Sequence, residues 1–311
     1  MRRVWPMAGF TLVEVLVSAA ITVLIAGVLF GIAGSAVTSW TRLQGVLETE
    51  AAAGRALDEL SDDLEGALCF DDESVSLAIS IQPGTGISGN WVDGEKPVAD
   101  SLVLDADSLV DARFGVAGVW LRLFTTRRGK DPRTSDPAAP VAVGYQLIRR
   151  EMVPGNAAPR YFLYRAEVTA AATQTAGFAL DGEAYATASS ADGEAGNLLV
   201  PPVRRVIAEN VIDFGAWLYS RETDPETGRT RIARVFPQSA GSLDYQVTFT
   251  RGAGAPMPGV VDVMLRILTD EGARKIAALE AGKISGDWWS IANAHSRVFT
   301  RRIAVRGSGL P

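Results

Sequence analysis

The chain has one cysteine, Cys69, and one histidine, His295, in 311 residues. A single cysteine excludes an intrachain disulfide and a cysteine-based zinc site. A single histidine excludes a multi-histidine metal centre and leaves one candidate for any Ser-His or Cys-His dyad. Positive charge is also short. There are 30 Lys+Arg against 36 Asp+Glu, a formal net of −6, with pI near 5.0. That balance argues against a nucleic-acid binder that relies on a global positive field. Proline is absent between Pro6 and Pro83, and Glu14 is the only charged residue between Arg3 and Arg42.

What fills that charge-poor stretch is apolar. Of the 30 residues from Phe10 to Ser39, 20 are hydrophobic. At about 1.5 Å per residue some 20 apolar residues cross a bilayer core, and Val15 to Val37 satisfies this. The stretch exceeds the 7–15 residues usual for the apolar part of a cleaved signal. Arg2 and Arg3 precede it, which by the positive-inside rule puts the short N-terminus in the cytoplasm and the remaining chain across the membrane. The odd member is Glu14. A carboxylate at the centre of a span costs about 2.5–3.5 kcal/mol, less near its edge. Either Glu14 sits at headgroup level, or a cation meets it.

The order Gly9-Phe10-Thr11-Leu12-Val13-Glu14-Val15-Leu16 after a short basic leader resembles the leader of type IV prepilins and type II secretion pseudopilins. The resemblance implies cleavage after Gly9 by a membrane-embedded prepilin peptidase and N-methylation of the new terminus, Phe10. It also implies pairing of Glu14 with the N-terminal ammonium of a neighbouring subunit. Such a partner offsets the cost of a charge in lipid. Gly27, Gly31 and Ser35, at steps of four, form the small-residue pattern that lets membrane helices approach closely.

Beyond Trp40 and Arg42 apolar residues recur at Leu43, Val46, Leu47, Ala53, Leu57, Leu60, Leu64 and Leu68. Glu48, Glu50, Arg55, Asp58, Glu59, Asp62, Asp63 and Glu65 fall between them, and the pair Asp62/Asp63 reads as a solvated face. The three-and-four spacing predicts an amphipathic continuation over 41–68 of a helix that begins at Phe10. From 69 onward period-two segments predict strands at 75–81, 101–105, 118–126, 142–152, 161–169, 211–219, 243–250, 260–268 and 298–305. Alternation of apolar and polar residues predicts antiparallel sheets with one solvated face. One later helix is predicted, capped by Thr269 and ended by Gly282. The segments 125–140 and 170–197 read as surface excursions, and 221–231 and 251–259 as hairpin connections. The expected class is α+β and pilin-like: a leader (1–9), a transmembrane and filament-core helix (10–40), its amphipathic continuation (41–68) packed on antiparallel sheet, and a β-rich periplasmic domain (69–311).

Other motifs carry less. Gly84-Thr85-Gly86-Ile87-Ser88-Gly89 has the dinucleotide spacing, but turn residues follow where the fingerprint needs a helix. Asp105, Asp107 and Asp111 lack the glycine and the further ligand of an EF-hand loop. His295 reads as a surface histidine. Cys69 reads as a small packing residue or an exposed thiol.

A second resemblance lies in the C-terminal part. Ala208-Glu209-Asn210-Val211, then Pro258-Gly259-Val260-Val261-Asp262-Val263, then Arg297-Val298-Phe299-Thr300 and Ile303-Ala304-Val305-Arg306-Gly307 follow one another. That order is similar to the C-terminal part of J-type minor pseudopilins. It is more similar still to the C-type prepilin-like protein of a cassette seen in Verrucomicrobia-type bacteria. Together the resemblances imply a structural subunit without catalytic residues, cofactor or metal. Its partners would be prepilin peptidase, other major and minor pseudopilins and an inner-membrane assembly platform. The contrasting expectation is a membrane-anchored periplasmic ligand-binding module or enzyme with an incidental leader.

Overall fold

Residues 11–70, 74–81, 91–92, 94, 96–126, 139–153, 155, 158–189, 191–223, 227–238, 246–250 and 257–305 are described by the computed structural model. In chain order the elements are α1 (Leu12–Glu65), β1 (Leu77–Ile81), β2 (Leu102–Val103), β3 (Arg113–Phe114), β4 (Val119–Thr125), β5 (Val141–Arg150) and β6 (Arg160–Glu167). Then come α2 (Ala170–Ala176), α3 (Glu183–Ala186), β7 (Val206–Glu209), β8 (Val211–Thr223), β9 (Thr230–Phe236) and β10 (Gln246–Phe249). The last are β11 (Val260–Leu268), α4 (Asp270–Glu280), α5 (Trp288–His295) and β12 (Ser296–Ala304). The class is α+β with antiparallel sheets, as the alternation predicted.

The chain divides into two units at Glu48/Thr49. The first consists, in its described part, of α1 up to Glu48. The second begins with the last turns of α1. Ala53, Ala56, Leu57, Leu60 and Leu64 lie in its main core, each burying one step of the three-and-four stripe. Full burial of a leucine side chain stabilises by about 1.5–3 kcal/mol. The helix stops at Glu65, three residues short of the expected 68. Gly66 follows, Ala67 bridges to Thr125, and the Leu68 amide donates to Phe124 O (2.9 Å), so the chain enters sheet geometry there.

One sheet has the order β10-β1-β4-β5-β6-β7 and the other β12-β11-β8-β9, with a small β2-β3 pair. The expected solvated face is absent from the middle of the larger sheet, where all ten residues of β5 are buried. Alternation separates its two faces into different cores. Leu77, Ile79, Ile81, Leu121, Leu123, Val143 and Tyr145 pack in the core shared with α1 and the four-stranded sheet. Ala78, Trp120, Phe124, Ala142 and Ala166 pack against Leu180, Tyr185 and Leu198. The segment 170–197, expected to be an excursion with little to bury, is thus a covering layer. It holds α2, capped by Thr169 Oγ1 on the Ala172 amide (3.2 Å), α3, and a 3-10 turn at Ala195–Leu198. Gly144 leaves room for it, because a Cβ there would lie 3.2 Å from Leu198 Cδ2.

The predicted C-terminal helix is α4. Thr269 Oγ1 accepts from the Gly272 amide, and Gly282 takes a φ of +66° while Lys283 N donates to Ala278 O (2.8 Å), a Schellman ending. A further helix, α5, was not expected. Asp287 caps it by accepting from the Ser290 amide at 2.6 Å. The hairpin read at 221–231 exists, but its strands reach to Thr223 and resume at Thr230. Residues 127–138 and 251–256, and the first part of the strand expected at 243–250, lie outside the described residues.

Candidate functional site

The N-terminal helix opens on Thr11 and Glu14. Thr11 N and Thr11 Oγ1 each donate to Glu14 Oε2 at 2.9 Å, and Glu14 N donates back to Thr11 Oγ1 at 3.3 Å. This is a reciprocal capping box, and it puts a carboxylate at the positive end of the helix dipole. The acid that stands out in an apolar sequence therefore has local partners. Gly9 and Phe10 lie outside the described residues.

From Leu12 to Val37 the helix is long and apolar enough to cross a membrane, with mean hydropathy 2.6 and none of it covered. Large side chains stand open on every face, Phe30 at 81% exposure. The few hydroxyls are satisfied within the helix. Ser18 Oγ donates to Val15 O (2.9 Å), Thr22 Oγ1 to Ser18 O (2.8 Å) and Ser35 Oγ to Ile32 O (2.8 Å). Such back-bonding leaves no polar group that demands water. Gly27, Gly31 and Ser35 share one exposed face by helix geometry, well away from Glu14 along the axis. A Cβ added at Gly27 or Gly31 would meet nothing within 4 Å, so that face is open to a close neighbour.

The second unit holds three charged clusters that the sequence reading did not find. The first corrects the solvated reading of Asp62/Asp63. Asp63 is fully buried, accepts from Arg165 Nε (2.6 Å) and Nη2 (3.0 Å), and receives the Tyr145 hydroxyl. Burial, with the Asp63 charge behind it, pushes the Tyr145 hydroxyl well up. Tyr145 and Arg165 stand opposite each other on β5 and β6. Four residues on, Arg149 and Tyr161 form a second opposed pair. They hold Glu280 of α4, Arg149 Nη2 at 2.5 Å and the Tyr161 hydroxyl at 2.8 Å, and Trp288 Nε1 adds a third donor at 3.0 Å. Residues 145 and 149 share a face of β5, so one hairpin face clamps a carboxylate from each of two helices.

The third cluster centres on Lys96. Its ammonium donates to Gly115 O (2.8 Å), Val116 O (3.2 Å) and Ile212 O (2.7 Å). Burial pushes it down to about 8, against the pull of Asp213. Asp213 is itself pushed up by burial, and its Oδ1 accepts from the Phe114 amide at 3.3 Å. Arg113 and Lys96 both lie over the Trp289 ring.

Two cavities of about 590 and 420 Å³ lie elsewhere, the first beside Thr169, Thr175 and Glu194, the second beside Arg160, Asp270 and Arg274. Neither is lined by a residue of the three clusters. Among the described residues no three His, Cys, Asp or Glu side chains converge as a metal site would need. His295 is half-buried. Its Nε2 lies 2.9 Å from Lys275 Nζ, and its carbonyl accepts from the Thr269 amide. Cys69 is half-buried against the main core and forms no disulfide. The glycine motif 84–89 lies outside the described residues. No family model, curated protein or solved structure matches the chain.

Proposed function

We propose that the chain is a structural subunit of pilin type, a minor pseudopilin of a type II secretion pseudopilus or a type IV pilus-like filament. The observation that carries the reading is the uncovered apolar helix with a single capped acid at its entry. Water does not tolerate such a helix, and a hydrocarbon core or a bundle of like helices does. The chain enters the inner membrane by this helix, with its N-terminus cytoplasmic and the β-rich unit periplasmic. Prepilin peptidase cuts after Gly9, and Phe10 is methylated. Glu14 then exchanges local donors for the ammonium of a neighbour, which sets the register of the filament. Gly27, Gly31 and Ser35 admit the adjoining helix. The order of strands from Ala208 to Val305 supports a J-type subunit. The chain does its work by packing rather than by catalysis.

Co-expression with a prepilin peptidase followed by intact-mass analysis tests the reading. A product beginning at methylated Phe10 is expected. An uncut chain in the presence of active peptidase, or a start near Ala36, would sink it. Glu14→Ala is expected to be processed normally and to enter filaments poorly, as scored in sheared surface fractions.

A further inference from the structure

The four-stranded sheet ends at one side on β12, a strand of nine residues without glycine, proline or bulge. Its register fixes which backbone groups face outward. At the two ends of the pair Val305 N donates to Gly259 O and Thr269 N donates to His295 O. The odd-numbered residues of β12 therefore turn their amides and carbonyls toward β11. Those of Val298, Thr300, Arg302 and Ala304 point away from it and have no partner among the described residues. Thr300, Arg302 and Ala304 are exposed as well. Such a row accepts an added strand, and proteins blunt edges of this kind or use them. Unpaired charge, a common blunting device, is cancelled here. Arg297 pairs with Glu50, Arg301 with Asp58, and Arg302 with both oxygens of Asp262. The other side chains along the edge are uncharged, and Val298 and Phe299 among them are only half-buried.

A second copy fits this edge badly. The pairs Arg297–Glu50 and Arg301–Asp58 show α1 running alongside β12 in the same direction. A copy paired antiparallel along β12 would bring its own α1 to the same face of the joined sheet. Glu50 and Asp58 of both chains would then line one seam, where like charges repel. A charged strand gains little from an edge whose charges are already matched. We propose that β12 is a docking edge for an extended, uncharged segment of another protein, rich in β-branched residues and added to the sheet as a further strand. Its main chain bonds to Val298, Thr300 and Arg302, and its side chains cover Val298 on one face and Phe299 on the other. The proposal does not depend on the filament reading.

The test uses the full chain in neutral detergent micelles and a labelled short peptide alternating Thr and Val, with the backbone N-methylated at every Val. The methyl groups block one edge of the peptide, so it cannot stack on itself, and leave the other edge for β12. Fluorescence anisotropy is expected to show saturable binding that salt does not weaken, and none by the peptide methylated at every residue. Thr300→Pro removes an outward amide and no bond to β11, so the sheet is expected to keep its thermal transition. Binding is expected to fall at least about tenfold. Ala304→Pro, at the strand end, repeats the test on the same edge. In the free chain the Val298, Thr300 and Arg302 amides are expected to exchange with deuterium quickly, and the peptide to slow them. Slow exchange of these amides in the free chain, no saturable binding, or unchanged affinity in both proline variants would overturn the proposal. So would binding of a Glu-Val peptide that is tighter by about tenfold and weakened by salt, which makes the occupant acidic. A dimer of the chain that Thr300→Pro dissociates would overturn it too, by making a second copy the occupant.

Discussion

Asp63 shows how a residue can be misread by its neighbours in sequence. Flanked by Asp62 and Glu65 it reads as part of a wet helix face, yet it lies three residues after Leu60 and seven after Ala56, on the buried stripe. That spacing was legible. What was not legible is the answering pair, Tyr145 and Arg165, which only strand register brings beneath it. Removing Asp63 takes two hydrogen bonds from the buried Arg165, which keeps Glu167 and Glu59 as partners, and one from the buried Tyr145 hydroxyl. The cost lies at the lower end of the range for a stranded buried charge, about 3–5 kcal/mol. Asp63→Ala is therefore expected to destabilise the second unit by about that amount in urea titrations of the full chain in detergent, read by tryptophan fluorescence. Lys96 gives a pH signature. Its ammonium falls from an ordinary 10.5 to about 8 when folded, so between those values the unfolded chain holds the proton and the folded chain does not. Stability then rises with pH across that window, by about 3 kcal/mol in all. Tyrosines that titrate there are shared with Lys96→Met. The stability difference between wild type and that variant is expected to shift by this amount in favour of the wild type from pH 8 to 10.5. A flat difference would show that Lys96 keeps its ordinary titration.

At the level of elements, long periodic segments were read well. Strands β4, β5, β6, β8 and β11 and helix α4 fall where alternation and caps placed them, within a few residues. The shortest misses share a cause. Strands β3 and β7 and helix α3 are four residues or fewer, too short to show a period. Helix α5 had its Asp287 cap in plain view, but only eight residues and two tryptophans behind it. The segment 170–197 has the composition of a loop because its buried residues are few, and Leu180, Tyr185 and Leu198 do the covering. Leu198 seats on Gly144, and its carbonyl accepts from Gln146 Nε2 at 2.7 Å. Leu198→Ala is expected to cost about 2–4 kcal/mol, with increased protease cutting confined to this layer. Ordinary stability in that variant would mean the layer is not part of the core.

For the whole molecule, the decisive contrast is between a helix whose side chains are open throughout its apolar span and a unit whose cores are closed. Leu24 and Ile25 sit at the middle of that span. The full chain is expected to stay in the membrane pellet after alkaline carbonate extraction. Leu24→Asp/Ile25→Asp, at about 2.5–3.5 kcal/mol for each central carboxylate, is expected to move it to the supernatant. Release of the wild-type chain by carbonate would remove the membrane anchor from the account.

The sequence alone determined the apolar helix, the lone acid at its entry and the α+β class. These follow from runs, periods and neighbours three or four residues apart, and such local physics is written in order along the chain. Tertiary structure decided which charges are buried and which sheet faces are covered. Asp63 meets Arg165 across 102 positions, and Arg149 meets Glu280 across 131. Contacts over such distances depend on register and layer packing, and no local pattern records them.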